Sequence, residues 1–241
     1  MRDAELFDYF EERSGADRDS TRRIQQGVFH AARISSADLV LDVGSGGGWL
    51  ADECLSHSLR PPVLVDLGIA NLRKLRAKLG TSAILVAADA YHLPFRDGSF
   101  NCVIASEVLE HLNEPAVVLN EARRVLRGDG RIIASTPYKE KLRYSLCIHC
   151  NTPTPMNAHL HSFDETRHTG MMRDAGFDAV RCTLLVNKLL LYSRISLLLS
   201  FLPFRLWRCV DAMVNLLLRK SAIIIVSARS LTTSSSNRPS T

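Results

Sequence analysis

The feature that most constrains this chain is a sudden change of texture at residues 37–48. A short apolar run, ADLVLDV, is followed at once by the glycine-rich turn GSGGG and then by WLADECL, where apolar residues recur at helical spacing. An apolar run of that length, ended by glycines and continued by a helix, is the opening of a strand–turn–helix unit. The glycines let the backbone reverse tightly and come close to whatever lies against it, and the helix that follows presents free N–H groups at its start. Asp42 stands two residues ahead of the pattern Gly44-x-Gly46-x-Gly48.

The same texture repeats. PPVLVDLG is a second strand ending in Asp66 and closed by Gly68, and ANLRKLRAKLG is a helix with Leu72, Leu75 and Leu79 on one face and Gly80 at its end. AILVAADA is a third strand, YHLPFRDGSF a turn-rich loop and NCVIASEV a fourth strand. EPAVVLNEARRVLRGDG reads as a helix with Pro115 in its first turn and its end at Gly128 and Gly130; RIIASTP is a fifth strand stopped by Pro137. Strands alternating with helices predict a mostly parallel sheet with helices on both faces, and continuous apolar strands fit a sheet covered on both sides. DETRHTGMMRDAG is a further helix, VRCTLLV a sixth strand and SAIIIVSARS a seventh.

Residues 1–35 form a helical lead-in and residues 36–230 one α/β domain. Within it, 138–165 is an irregular loop and 187–219 a Leu-rich helical insertion broken at Pro203. Residues 231–241 are a polar tail expected to be disordered. The 241 residues suit one such domain, and 46% hydrophobic residues supply its core. A net charge of +5 is too mild to imply nucleic acid. Much of it sits in the insertion, where Lys188, Arg194, Arg205, Arg208, Arg219 and Lys220 face only Asp211. The longest charge-free run there, ISLLLSFLPF, is too short to cross a bilayer. It is read as a helical pair packed on the sheet or at a dimer contact, with a peripheral membrane or lipid contact as the alternative. The charged N-terminus carries no secretory pattern. Together with cysteines that suggest no disulfide framework, this predicts a reducing, cytosolic setting.

Five segments together resemble the class I S-adenosylmethionine-dependent methyltransferases of the type 11 group: LDVGSGGG, VDLG, ADAYHLPFRDGSF, NCVIASEVLEHL and EARRVLRGDGRIIASTP, in that order. The resemblance implies a seven-stranded Rossmann-like sheet with its last strand antiparallel, S-adenosylmethionine as cofactor, and methyl transfer to a small or lipid-like acceptor, with oxygen slightly favoured. It implies that Gly44, Gly46 and Gly48 pass close to the methionine part of the cofactor and that Asp42 lies beneath it. Asp66 would hold the ribose hydroxyls, Asp89 and Ala90 would flank the adenine, and Ser106 would face the cofactor. Ser45 and Leu67 complete that set, and Glu107 and His111 are the candidate catalytic residues.

Two metal readings remain open. Cys147-x-x-Cys150 followed by His159-x-His161 offers the ligand types and number of a closed tetrahedral zinc site, structural in role, with His149 as a spare. Alternatively, Glu107-x-x-Glu110-His111 resembles the metal motif of small-RNA 2′-O-methyltransferases and ubiquinone-biosynthesis O-methyltransferases. His161 would then be the fourth ligand of a divalent ion that binds two substrate oxygens. An RNA 2′-O-methyltransferase and a non-catalytic cofactor-binding protein are the other functional readings.

Overall fold

The computed structural model describes residues 15–192 and 199–230. Seven strands form one sheet: β1 (Val40–Val43), β2 (Val63–Asp66), β3 (Ile84–Ala87), β4 (Phe100–Ser106), β5 (Leu126–Pro137), β8 (Phe177–Asn187) and β9 (Ser221–Ser230). A separate hairpin holds β6 (Tyr144–Leu146) and β7 (Pro153–Pro155). The helices are α1 (Gly15–Ala32), α2 (Trp49–Ser56), α3 (Ile69–Leu79), α4 (Pro115–Val125), α5 (Glu165–Asp174), α6 (Lys188–Tyr192) and α7 (Phe204–Leu218).

The strand order is β3-β2-β1-β4-β5-β9-β8. Strands β1 to β5 are parallel, and β9 runs antiparallel to both of its neighbours. The sheet reverses direction at β1, so the crevice beyond the carboxyl ends of β1, β2 and β4 is where such a fold binds ligands.

Alternation along the strands builds two cores. Leu41, Val43, Ile132, Ala134, Ile224 and Val226 point to one face, against Leu119, Ala122 and Val125 of α4 and Met172 of α5. Val40, Ile133, Ile223 and Ile225 point to the other, against Val28 and Ala32 of α1, Leu50 and Cys54 of α2, and Trp207 of α7. The side-chain period of two sends successive apolar residues to opposite faces, so a continuous apolar strand serves both.

Three details differ from the sequence reading. First, α4 ends at Val125 and β5 begins at the next residue. Gly128 and Gly130 therefore lie in the strand's irregular opening, where the register with β4 jumps from Phe100–Leu126 to Cys102–Arg131. A Cβ on Gly130 would meet Leu126 and the Arg127 backbone within about 3 Å. Second, β3 is not covered on both faces: it is the sheet's edge, and Ile84 is 53% exposed. Third, the segment after β5 is an ordered excursion. It is closed at its base by the Tyr138–Phe163 bridge and the Lys139 N–H bond to the Phe163 carbonyl, and it carries the β6–β7 hairpin at its far end.

The Leu-rich segment returns to the sheet through α7, which buries Trp207 and Asp211. The Asp211 carboxylate accepts the Val186 and Asn187 N–H groups and so caps the irregular end of β8. Arg23 of α1, 1% exposed, donates to the Leu199 and Ser200 carbonyls and lies 5.0 Å from the Trp207 ring. The lead-in helix and the insertion are thus fastened together. No helix among the described residues is long and apolar enough to cross a membrane. The predicted disordered tail, 231–241, lies outside the described residues.

Candidate functional site

A cleft of about 1270 Å³ opens at the carboxyl ends of β1, β2 and β4. Its floor is the glycine turn. Gly44 adopts φ +74°, and a Cβ there would sit 2.6 Å from a Val108 methyl, so no larger residue fits between the turn and β4. Gly48 also has φ +74°, but its role differs from the expected one. It is not part of the cleft wall, and a Cβ on it would strike Leu75 of α3 at 2.6 Å. It serves helix packing rather than ligand approach. Gly44, Ser45 and Gly46 do line the cleft.

Asp66 organises the turn. One carboxylate oxygen accepts the Gly68 N–H at 2.8 Å; the other accepts the Gly46 N–H at 3.2 Å and the Asn71 amide at 3.0 Å. Asn71 also donates to the Gly46 carbonyl at 2.9 Å, so it clamps turn to strand. Burial raises the Asp66 carboxyl above its ordinary range, and these hydrogen bonds pull it back. Asn71 was missed in the sequence, although its place in the first turn of α3, five residues after Asp66, is a readable signal.

Asp42 is fully buried beneath the turn. Neither of its oxygens has a hydrogen-bond partner, and it does not reach the cleft surface. Burial, and then the charge of Asp66, push its carboxyl up to about 8. Leu67, Asp89, Ala90 and Ser106 all line the cleft, and the Asp89 carboxylate accepts the Tyr91 N–H at 3.0 Å. The N-terminal helix contributes Ile24 and Gln25 to the opposite wall, which no motif in the sequence announces.

Beyond β4 the character changes to acidic. Glu107 lies in the left-handed region, φ +56°, an uncommon conformation for a residue with a Cβ and typical of side chains held for a task. Its carboxylate accepts the Ser135 hydroxyl at 2.9 Å, and Ser135 is in turn 2.9 Å from the Ser106 hydroxyl. Burial pushes the Glu107 carboxyl up to about 7; the Ser135 bond opposes this and Glu140 adds to it. Glu110, 0% exposed, has no hydrogen-bond partner on either carboxylate oxygen, and burial followed by the Glu107 charge raises it well above its usual range. His111 is held below the ordinary imidazole value by burial and by His159.

The four residues of the zinc reading are not brought together. Cys147 and Cys150 sit at the tip of the β6–β7 hairpin, where Cys150 is exposed and bonds Thr152. His161 turns the other way, with one ring nitrogen 2.8 Å from the Leu112 carbonyl and the other 2.9 Å from Arg167. That also removes His161 from the Glu107, Glu110 and His111 set. His159 takes its place: its ring lies 4.8 Å from that of His111, and its Nδ1 bonds Glu140. The cause is local. Asn157 and Ala158 both adopt positive φ, and the Leu160 N–H bonds the Glu110 carbonyl at 2.7 Å, which fixes which histidine faces inward.

Residues 41–134 match the family model described as a methyltransferase domain. The matched span runs from β1 into β5, so this part of the chain is similar to a methyltransferase domain. It is 30% identical over 156 residues to a probable S-adenosylmethionine-dependent methyltransferase of Mycobacterium tuberculosis, covering 64% of this chain and 54% of that protein. It is 33% identical over 152 residues to the malonyl-acyl-carrier-protein O-methyltransferase of Geobacter sulfurreducens, covering 58% and 56%. It thus spans about half the length of the curated relatives it matches. Among solved structures, an S-adenosylmethionine-dependent methyltransferase of Mesorhizobium loti superposes with a TM-score of 0.62 at 15% identity, covering 88% of this chain and 99% of that one. The cyclase SpnF superposes at 0.64 with 15% identity, covering 92% and 85%. At that identity the likeness is one of fold, and a cyclase among the neighbours shows that this fold hosts more than one chemistry.

Proposed function

We propose that this protein transfers a methyl group from S-adenosylmethionine to a small or lipid-like acceptor, with an oxygen as the favoured nucleophile. The observation that carries the proposal is the continuity of one cleft. It runs from the Gly44–Gly46 turn and Asp66, past Asp89 and Ala90, to Ser106, Glu107 and His111. The first part suits a nucleoside with an aliphatic amino acid attached: a tight glycine turn, a carboxylate at the end of β2, and a second carboxylate beside Ala90. Bound there, S-adenosylmethionine supplies a methyl group already activated on a sulfonium.

The chain's own residues then have to align an acceptor and take up its proton. Glu107 lies where β4 meets the cleft, its carboxylate oriented by Ser135, which is the position from which an acceptor hydroxyl can be held. Asn157, Ala158 and His159 of the excursion and Ile24 and Gln25 of α1 also line this cleft.

The lipid-like choice is supported by α7. It turns Leu206, Met213, Leu216 and Leu217 outward beside exposed Arg205, Arg219 and Lys220, a pattern suited to an anionic lipid surface. The full chain is expected to sediment with vesicles containing phosphatidylglycerol and to lose that association when Leu216 and Leu217 are both changed to Ser. Equal sedimentation of the two proteins would remove the lipid surface from the reading.

The test of the activity is a titration with S-adenosylhomocysteine beside a turnover assay over small hydroxylated and acyl acceptors. Glu107→Gln is expected to keep cofactor affinity within about threefold while turnover falls by roughly 10²–10⁴. No binding of S-adenosylhomocysteine by the unaltered protein would overturn the proposal.

A further inference from the structure

Glu110, His111 and His159 converge at the acceptor end of the cleft in a way that methyl transfer alone does not require. Among the described residues they form the one group of three potential metal ligands, with a ligand atom from each lying within 4.8 Å of the others. Donors around one cation at bond lengths of about 2.0–2.2 Å lie roughly 3–4 Å apart, so a small turn of the exposed His111 ring completes the set.

Three independent observations point to a cation. Glu110 is 0% exposed and neither of its oxygens has a hydrogen-bond partner. A buried carboxylate without partners is costly, and a metal ion is one of the few things that satisfies it. Next, the Nδ1 of each histidine already has a partner. That of His111 lies 3.2 Å from the Ala158 carbonyl, and that of His159 meets the Glu140 carboxylate. This leaves the Nε2 of each ring as the free lone pair, which is how metal-binding imidazoles are oriented by their outer hydrogen bonds. Finally, the ligands come from two elements locked to each other. Glu110 and His111 lie on the turn after β4 and His159 on the excursion, and the Leu160 N–H bond to the Glu110 carbonyl holds the two in register. Among the described residues, no Lys or Arg ion pair reaches Glu107, Glu110 or Glu140 to supply the missing positive charge.

We propose that Glu110, His111 and His159 bind a divalent first-row cation at the acceptor end of the cleft. Two imidazoles and one carboxylate favour Mn²⁺, Fe²⁺ or Zn²⁺ over Mg²⁺ or Ca²⁺, and three protein ligands leave coordination positions open. What fills them rests on the methyl-transfer reading: an oxygen of the acceptor would take one of them. The acceptor oxygen would attack the methyl carbon of bound S-adenosylmethionine, the carbon–sulfur bond breaking with its electron pair left on sulfur. The hydroxyl proton passes to the Glu107 carboxylate. The cation itself is not consumed or oxidised.

The test is a Mn²⁺ titration of the full chain, read by electron paramagnetic resonance and by the rise in melting temperature, with S-adenosylhomocysteine affinity measured on the same samples. One Mn²⁺ per chain is expected. Glu110→Gln and His159→Ala should each weaken it at least tenfold, while His161→Ala and Cys147→Ser should leave it unchanged. His159 is half-buried at the rim, so its variant keeps the test valid should Glu110→Gln fold poorly. Absence of Mn²⁺ and Zn²⁺ binding, or binding that survives His159→Ala but is lost in Cys147→Ser, would overturn the site. Loss of the cation with S-adenosylhomocysteine affinity intact separates failure here from failure of the methyl-transfer reading.

Discussion

The two ends of the cleft are built on different principles. At the end proposed for the cofactor, Gly44, Gly46, Asp66, Gly68 and Asn71 come from two consecutive strand–turn–helix units. They are held by backbone N–H groups and short side chains. At the end proposed for the acceptor, Glu107, Glu110, His111, Ser135, Glu140 and His159 come from three separate stretches, brought together by β4–β5 pairing and by one backbone bond from Leu160 to Glu110. A site assembled within local units has its geometry written into spacing. A site assembled across crossings depends on how an irregular segment happens to turn.

Substitutions can sharpen that contrast. The largest effect is expected from Asp66→Ala. It removes the acceptor of three hydrogen bonds that tie two neighbouring units together, and S-adenosylhomocysteine affinity should fall roughly 100-fold in a calorimetric titration. An affinity unchanged within threefold would mean that the turn is held by something other than Asp66.

Asp42 gives a smaller effect with a clear sign. Its carboxyl is pushed up to about 8 in the folded protein, against an ordinary value of about 4 in the unfolded chain. The folded state therefore carries the extra proton between those values, and its stability falls as pH rises from about 4 to about 8. Asp42→Asn is expected to flatten that part of the melting-temperature profile. A profile as steep as that of the unaltered protein would show that Asp42 is not the group responsible. The smallest effect is expected at the hairpin tip. Cys147→Ser and Cys150→Ser should shift stability by no more than about 0.5 kcal/mol in urea unfolding, because Cys150 is exposed, Cys147 only half-buried, and neither belongs to the core or the cleft.

The same contrast explains what the sequence made legible. The strands, their order of appearance, the Gly44–Gly46 turn and Asp66 could be read because each rests on a short-range pattern: an apolar run, a glycine at positive φ, a carboxylate at a strand's end. The antiparallel last strand came with the family resemblance. The choice of His159 over His161 was not legible. Both histidines stand on the same side of an extended chain, and only the paired left-handed residues Asn157 and Ala158 decide which one meets His111. The Cys147–Cys150 pair is the converse case. Its spacing is short-range and conspicuous, but the hairpin carries it outward to the surface. Glu140 carried no signal at all, since a charged residue just past a strand is usually solvated.

The place of β9 has a consequence for how the protein is made. It is the last strand of the sheet in the sequence, yet it lies inside the sheet, between β5 and β8. During synthesis β5 is finished at Pro137, but its second edge stays unpaired until Ser221–Ser230 has left the ribosome. At about 5–20 residues per second that is an interval of several seconds to more than ten, in which the β5 edge around Ile132, Ile133 and Ala134 lies open. The nascent chain is therefore exposed to mispairing until β9 has emerged, and a chaperone that shields the β5 edge would act in that window.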